Sequence, residues 1–118
     1  MKIRIDSVHG HDDTYGERVL LTALQDCDLC YYMIADTTYT SNGKISNKHR
    51  HVKWFSPLDV KTGERVALYS GNGTYSKEVH SGTTWHKIYW NSGTKIWNDD
   101  ADAAVLFELN NWNTTSSR

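Results

Sequence analysis

Six histidines and two cysteines are the side chains of this chain best suited to metal binding, and their spacing decides what they could do. His9-x-His11 and His49-x-His51 would each put two imidazoles on one face of an extended strand, since side chains two residues apart point the same way. Cys27-Asp28-Leu29-Cys30 adds a lone CxxC, whose thiols converge only if a turn intervenes. A zinc ribbon needs a second CxxC or a His pair at finger spacing, and the sequence has neither. The expectation is reduced thiols at Cys27 and Cys30, solvated histidines, no metal and no cofactor. Asp99, Asp100 and Asp102 concentrate negative charge, but a calcium loop needs alternating oxygen ligands, a Gly and a closing Glu. Turn capping explains them better. No G-x-S-x-G elbow, H-E-x-x-H helix or phosphate loop occurs, and Gly71-x-Gly73 lacks a third glycine. No catalytic residue is expected.

Binding chemistry has two further candidates. Residues 37–58 contain no Asp or Glu, while Lys44, Lys48, Arg50 and Lys53 contribute +4, and His49 and His51 would add charge at mildly acidic pH. Trp54 and Phe55 follow at once. Cations beside aromatics suit phosphate neutralisation with base stacking. Against this, the pI of about 6.6 lies far below that of a dedicated nucleic-acid binder, and lysines also protect an edge strand from aggregation. The second candidate is an aromatic platform from Trp85, Tyr89, Tyr75 and Trp112, for sugar rings or for a protein partner. At most two of the five Trp should be substantially exposed, because a chain short of Leu and Ile must use the others as core.

Short strands would have to position these groups. Apolar bursts fall at residues 3–8, 18–24, 29–35, 51–55, 64–69, 84–90 and 103–109, separated by Gly, Asn, Ser, Asp and Thr, and no segment keeps a helical period. Asn42-Gly43, Asn72-Gly73 and Ser92-Gly93 tolerate positive φ, and Lys61-Thr62-Gly63-Glu64 reads as a turn closed by a Gly bulge. Pleat arithmetic puts Val66 and Leu68 on one face against Ala67 and Tyr69, and Ile88 and Trp90 against Trp85, Lys87 and Tyr89. With 118 residues there is room for one domain, expected over 1–112 with a frayed tail at 113–118. The expected fold is all-β, an immunoglobulin-like antiparallel β-sandwich of about seven strands, with a small closed barrel as the alternative. No apolar run is long enough to span a bilayer, and charges interrupt the N-terminal apolar residues where a signal peptide would need a continuous core. A cytoplasmic chain is the default reading, with no membrane insertion.

The segment Trp97-Asn98-Asp99-Asp100-Ala101-Asp102-Ala103-Ala104-Val105-Leu106 resembles the W-N-N-x-G-D-x-A-x-L signature of lamin tail domains. Upstream, Lys61-Thr62-Gly63-Glu64-Arg65-Val66-Ala67-Leu68-Tyr69-Ser70-Gly71 is similar to that family's pGe-x-v-x-l-y-s-G segment, in the right order and at a fitting distance. Asp99 and Ala101 depart from the family's usual Asn and Gly. The resemblance implies an immunoglobulin-like sandwich without a catalytic centre, a free-standing bacterial member used for interaction or tethering. It makes Gly63, Glu64, Gly71, Trp97, Asn98, Asp102, Ala104 and Leu106 motif residues. Their turn and strand chemistry is intelligible without the family: Trp97 covers one end of the core, Asn98 and Asp102 cap a tight turn, and Ala104 and Leu106 point inward. The expected function is therefore binding of a protein partner; a nucleic-acid or carbohydrate ligand on residues 44–55 or on a Trp/Tyr platform is the alternative.

Overall fold

The computed structural model describes residues 1–10, 16–38, 51–92, 96–97 and 102–117. Its strands are β1 Ile3–His9, β2 Arg18–Ala23, β3 Cys27–Asp28, β4 Tyr32–Thr38, β5 Val52–Trp54, β6 Asp59–Val60, β7 Arg65–Tyr69, β8 Ser76–His80, β9 Thr83–Tyr89 and β10 Asp102–Glu108. The only helical element among the described residues is a 3₁₀ turn at Leu29–Tyr31. An all-β fold is what the bursts of apolar residues predict.

Two sheets dominate. One has five strands in the order β1-β2-β7-β9-β8, the other three in the order β10-β4-β5, and β3 pairs with β6 in a short ribbon. Alternation along the strands sends one row of each sheet into a common core. Val19 and Leu21 of β2, Val66 and Leu68 of β7 and Ile34 of β4 are buried there, joined by Leu29, Phe55, Val60, Ile96 and Trp97. Ile88 and Trp90 pack against that cluster, as the pleat predicts, and Ala104 and Leu106 join them from β10.

Two expectations are corrected. The five-stranded sheet is mixed, because β7 and β9 run parallel, with Arg65 beside Trp85 and Tyr69 beside Tyr89. After β7 the chain passes through residues 70–75, forms β8, and returns as β9 into the position next to β7. A parallel neighbour needs such a crossover, and periodicity does not reveal it. The strands also number ten among the described residues, against about seven expected. β3 and β6 are two residues each, and β8 reads SKEVH, too polar to register as an apolar burst. The burst at 29–35 is divided: Leu29 reaches the core from the 3₁₀ turn, and β4 begins at Tyr32.

Turn chemistry is partly as read. The 61–64 turn closes by the Glu64 N–H donating to the Lys61 carbonyl at 2.9 Å, with Gly63 at φ +86°. Gly73, in contrast, is not at positive φ; a Cβ there would lie 2.6 Å from the Tyr89 ring, so space is what requires glycine. The two-residue hairpin between β8 and β9 uses Ser81 and Gly82, both at positive φ.

Candidate functional site

The outer face of the three-stranded sheet is built from two apolar rows. Strand register aligns Phe107, Met33 and Trp54 across β10, β4 and β5, and Val105, Ala35 and Val52 beside them. The intervening row, Leu106, Ile34 and Lys53, points the other way, toward the core. Val52 and Trp54 are 49% and 45% exposed on the edge strand. The Trp54 indole N–H donates to the Cys30 carbonyl at 2.8 Å, which fixes the ring beside the 3₁₀ turn. Trp112, beyond β10, meets Trp54 edge-on at 5.0 Å and an 82° interplanar angle, and meets Tyr31 at 5.7 Å and 57°. Tyr31 and Trp112 stay 48% and 44% exposed. Three large rings from separate parts of the chain thus form one half-exposed cluster.

The five-stranded sheet treats its aromatics differently. Its outer rows read Thr22, Arg65, Trp85, Glu78 and Arg18, Tyr69, Tyr89. The Arg65 guanidinium lies 4.3 Å above the Trp85 ring, and Tyr69 stacks on Tyr89 at 5.2 Å and 20°. Asp6 accepts from Thr22 Oγ1 at 2.6 Å, Arg4 Nε at 2.7 Å and Arg65 at 3.3 Å. Burial raises the Asp6 carboxyl, but these hydrogen bonds outweigh it and hold it below the ordinary aspartate range. Glu78 pairs with Lys87 at 2.8 Å.

The residues singled out in the sequence scatter. Lys53 and Trp54 are brought to opposite faces of one strand, and Trp85 and Tyr89 lie on the outer face of the other sheet. Lys44, Lys48, Arg50, His11, His49, Asn98, Asp99 and Asp100 lie outside the described residues, as does the side chain of Asp102. Two of the five Trp, Trp54 and Trp112, are substantially exposed, matching the limit expected from composition. Trp97 is buried and meets Trp90 edge-on at 6.2 Å. Gly71 is buried, and its carbonyl accepts from the Asn91 N–H.

No group of three or more His, Cys, Asp or Glu that could hold a metal occurs among the described residues. His9 bonds Ser7, and His51 donates its backbone N–H to Asp36 at 2.7 Å while Nδ1 sits 2.8 Å from the same carboxylate. Cys27 and Cys30 are free thiols on either side of the start of the 3₁₀ turn. Burial raises the pKa of both, which lowers the thiolate fraction that redox or metal chemistry requires.

Three structural groups had no local signal. Glu17 is fully buried, and its carboxylate accepts from the backbone N–H groups of Ile96 at 2.8 Å and Trp97 at 3.1 Å. Tyr32 is buried and donates to Glu108 at 2.6 Å; burial, then the carboxylate, pushes its phenol up to about 12. His86 is buried between Glu64 and Tyr75, each 2.8 Å from one of its ring nitrogens. Ser81-Gly82 was the one available signal for the hairpin that positions His86. No helix among the described residues is long and apolar enough to cross a membrane. Comparison with protein-family models and with curated proteins finds no match for the chain.

Proposed function

We propose that this chain is an interaction or tethering module that binds a protein partner through the outer face of its three-stranded sheet. The observation that carries the reading is the Tyr31, Trp54 and Trp112 cluster, half-exposed and continuous with the apolar rows of β5, β4 and β10. Large aromatics at the centre of an exposed apolar patch are the usual anchors of protein interfaces. Ring orientation favours protein over glycan, because sugar stacking uses a flat platform and these rings are steeply inclined to one another. The nucleic-acid alternative asks Lys53 and Trp54 to act together, and their opposite faces weigh against it.

Two sheets contributing to one core support an immunoglobulin-like sandwich, and the residues that resemble lamin tail domains support that family's non-catalytic tethering role. The burial of Trp97 and the packing of Ala104 and Leu106 against the core support that reading.

The test replaces Val52 by the photo-crosslinking residue p-benzoylphenylalanine and, in a second variant, Lys77 on β8 of the opposite sheet. The reading expects a defined protein adduct from position 52, diminished at least about tenfold by Trp54→Ala or Trp112→Ala, and none from position 77. Equal adducts from both positions, or none from position 52, would sink it.

A further inference from the structure

His86 sits in the inward row of the five-stranded sheet, beside Val66 of β7 and Lys77 of β8, and is 2% exposed. Its Nε2 lies 2.8 Å from Glu64 Oε1 and its Nδ1 lies 2.8 Å from the Tyr75 hydroxyl. Glu64 also accepts the Lys61 backbone N–H at 2.9 Å. Burial raises the Glu64 carboxyl, but the His86 and Lys61 hydrogen bonds hold it below its usual range. An ionised carboxylate only accepts, so Nε2 carries the ring proton of neutral His86. Nδ1 is then an acceptor, and the Tyr75 hydroxyl must donate to it. Nucleophile, base and orienting carboxylate stand in a line within hydrogen-bond reach, which is the arrangement that activates a hydroxyl on demand.

Tyr75 is 44% exposed and borders a cleft of about 270 Å³. Phe55, Pro57, Leu58, Ile88 and Tyr89 give the cleft apolar walls, and Lys53 is the cation on its lining. Such a cleft fits a small neutral molecule with an apolar or aromatic body better than a multiply charged one.

We infer that Tyr75 is a base-activated nucleophile that accepts an acyl group from a small, uncharged ester seated in this cleft. In the step, the bond from Tyr75 Oη to the acyl carbon forms as the hydroxyl proton passes to His86 Nδ1, and Glu64 stabilises the imidazolium. The bond from the acyl carbon to the departing oxygen breaks, and that oxygen takes the proton from His86, leaving an O-acyl tyrosine and a neutral alcohol or phenol. Glu64 is a positioning residue here. Burial, with the charge of Glu64, raises the Tyr75 phenol, so no standing phenolate is involved and the proton must move during attack. The site uses a surface other than the proposed partner face and does not depend on it.

The experiment treats the purified full chain with p-nitrophenyl acetate across a pH series and maps acetylated peptides by mass spectrometry. Tyr31 is the internal control, being 48% exposed with no imidazole partner among the described residues. Tyr75 is expected to acetylate at least about tenfold faster than Tyr31, the low end of what a positioned base contributes. The pH profile of its rate should differ from that of Tyr31. Glu64→Gln should bring the Tyr75 rate toward that of Tyr31 and change its pH profile. Equal rates at the two tyrosines in the wild-type chain, which needs no variant to fold, would overturn the inference; so would an unchanged Tyr75 rate and profile in folded Glu64→Gln.

Discussion

The outer faces of the two sheets use the same residue types to opposite ends. On the five-stranded sheet every large ring has a companion that covers it: Arg65 lies over Trp85, and Tyr69 stacks with Tyr89. Charges there are paired as well, Asp6 with Arg4 and Arg65, Glu78 with Lys87. On the three-stranded sheet Trp54 and Trp112 meet edge-on, Tyr31 and Trp112 are tilted, and all three rings stay nearly half exposed, beside rows that carry no charge. Aromatic content therefore does not identify a binding face. Among the described residues, what distinguishes the two is whether the tertiary structure brings a cation or a parallel-stacked ring to an aromatic.

The comparison can be broken most severely where the two sheets are joined. Glu17, at the start of β2, holds the backbone of Ile96 and Trp97 on the path toward β10. Glu17→Ala leaves two buried N–H groups unpaired and should cost about 3–5 kcal/mol in urea unfolding, loosening both faces together. A smaller effect, confined to one face, is expected from Trp54→Ala combined with Trp112→Ala. Partner affinity should fall by about 2 kcal/mol or more, roughly 30-fold, while stability drops by about 2 kcal/mol for the lost indole hydrogen bond and the partial burial of the two rings. Trp85→Ala should do the reverse: thermal or urea unfolding shifts by about 1–2 kcal/mol, from the lost ring burial and the contact with Arg65, and crosslinking from position 52 is unchanged.

The smallest expected effect sharpens the contrast through pH. The Asp6 carboxyl titrates lower in the folded chain than in the unfolded one, so its contribution is present above the ordinary aspartate value of 3.8 and is lost as pH falls through the lowered folded value. Acid unfolding below about pH 4 should therefore carry a component, under about 1 kcal/mol, that Asp6→Asn removes. Trp54→Ala should leave that component in place. Equal sensitivity of both variants to acid would erase the distinction between a charge-paired face and an apolar one.

Local pattern made much of this protein legible. The burst at 64–69 became β7 with Val66 and Leu68 inward, because alternation depends only on the pleat. Lys61-Thr62-Gly63-Glu64 closed as a turn, because Gly63 supplies the positive φ the turn requires. Glu64 itself was read as a turn residue and is one, but its carboxylate also meets His86, 22 residues later, which no turn chemistry anticipates. The basic stretch and its neighbouring aromatic read as one surface, yet a strand pleat separates Lys53 from Trp54. That separation follows from the period-two alternation of a strand alone.

From its own residues the sequence determined strand-forming segments, their inward faces, the 61–64 turn and the small number of Trp that could remain exposed. Each of these rests on forces acting within a few residues or on the amount of apolar surface available. Tertiary structure alone decided the parallel neighbours β7 and β9, the bond from Glu17 to a backbone 79 residues away, and the meeting of Tyr31, Trp54 and Trp112. It also placed a buried His86 between a carboxylate and a phenol. These depend on which segments the crossovers and hairpins bring into contact. Loop closure and sheet pairing set that, and neither leaves a periodic trace in the chain.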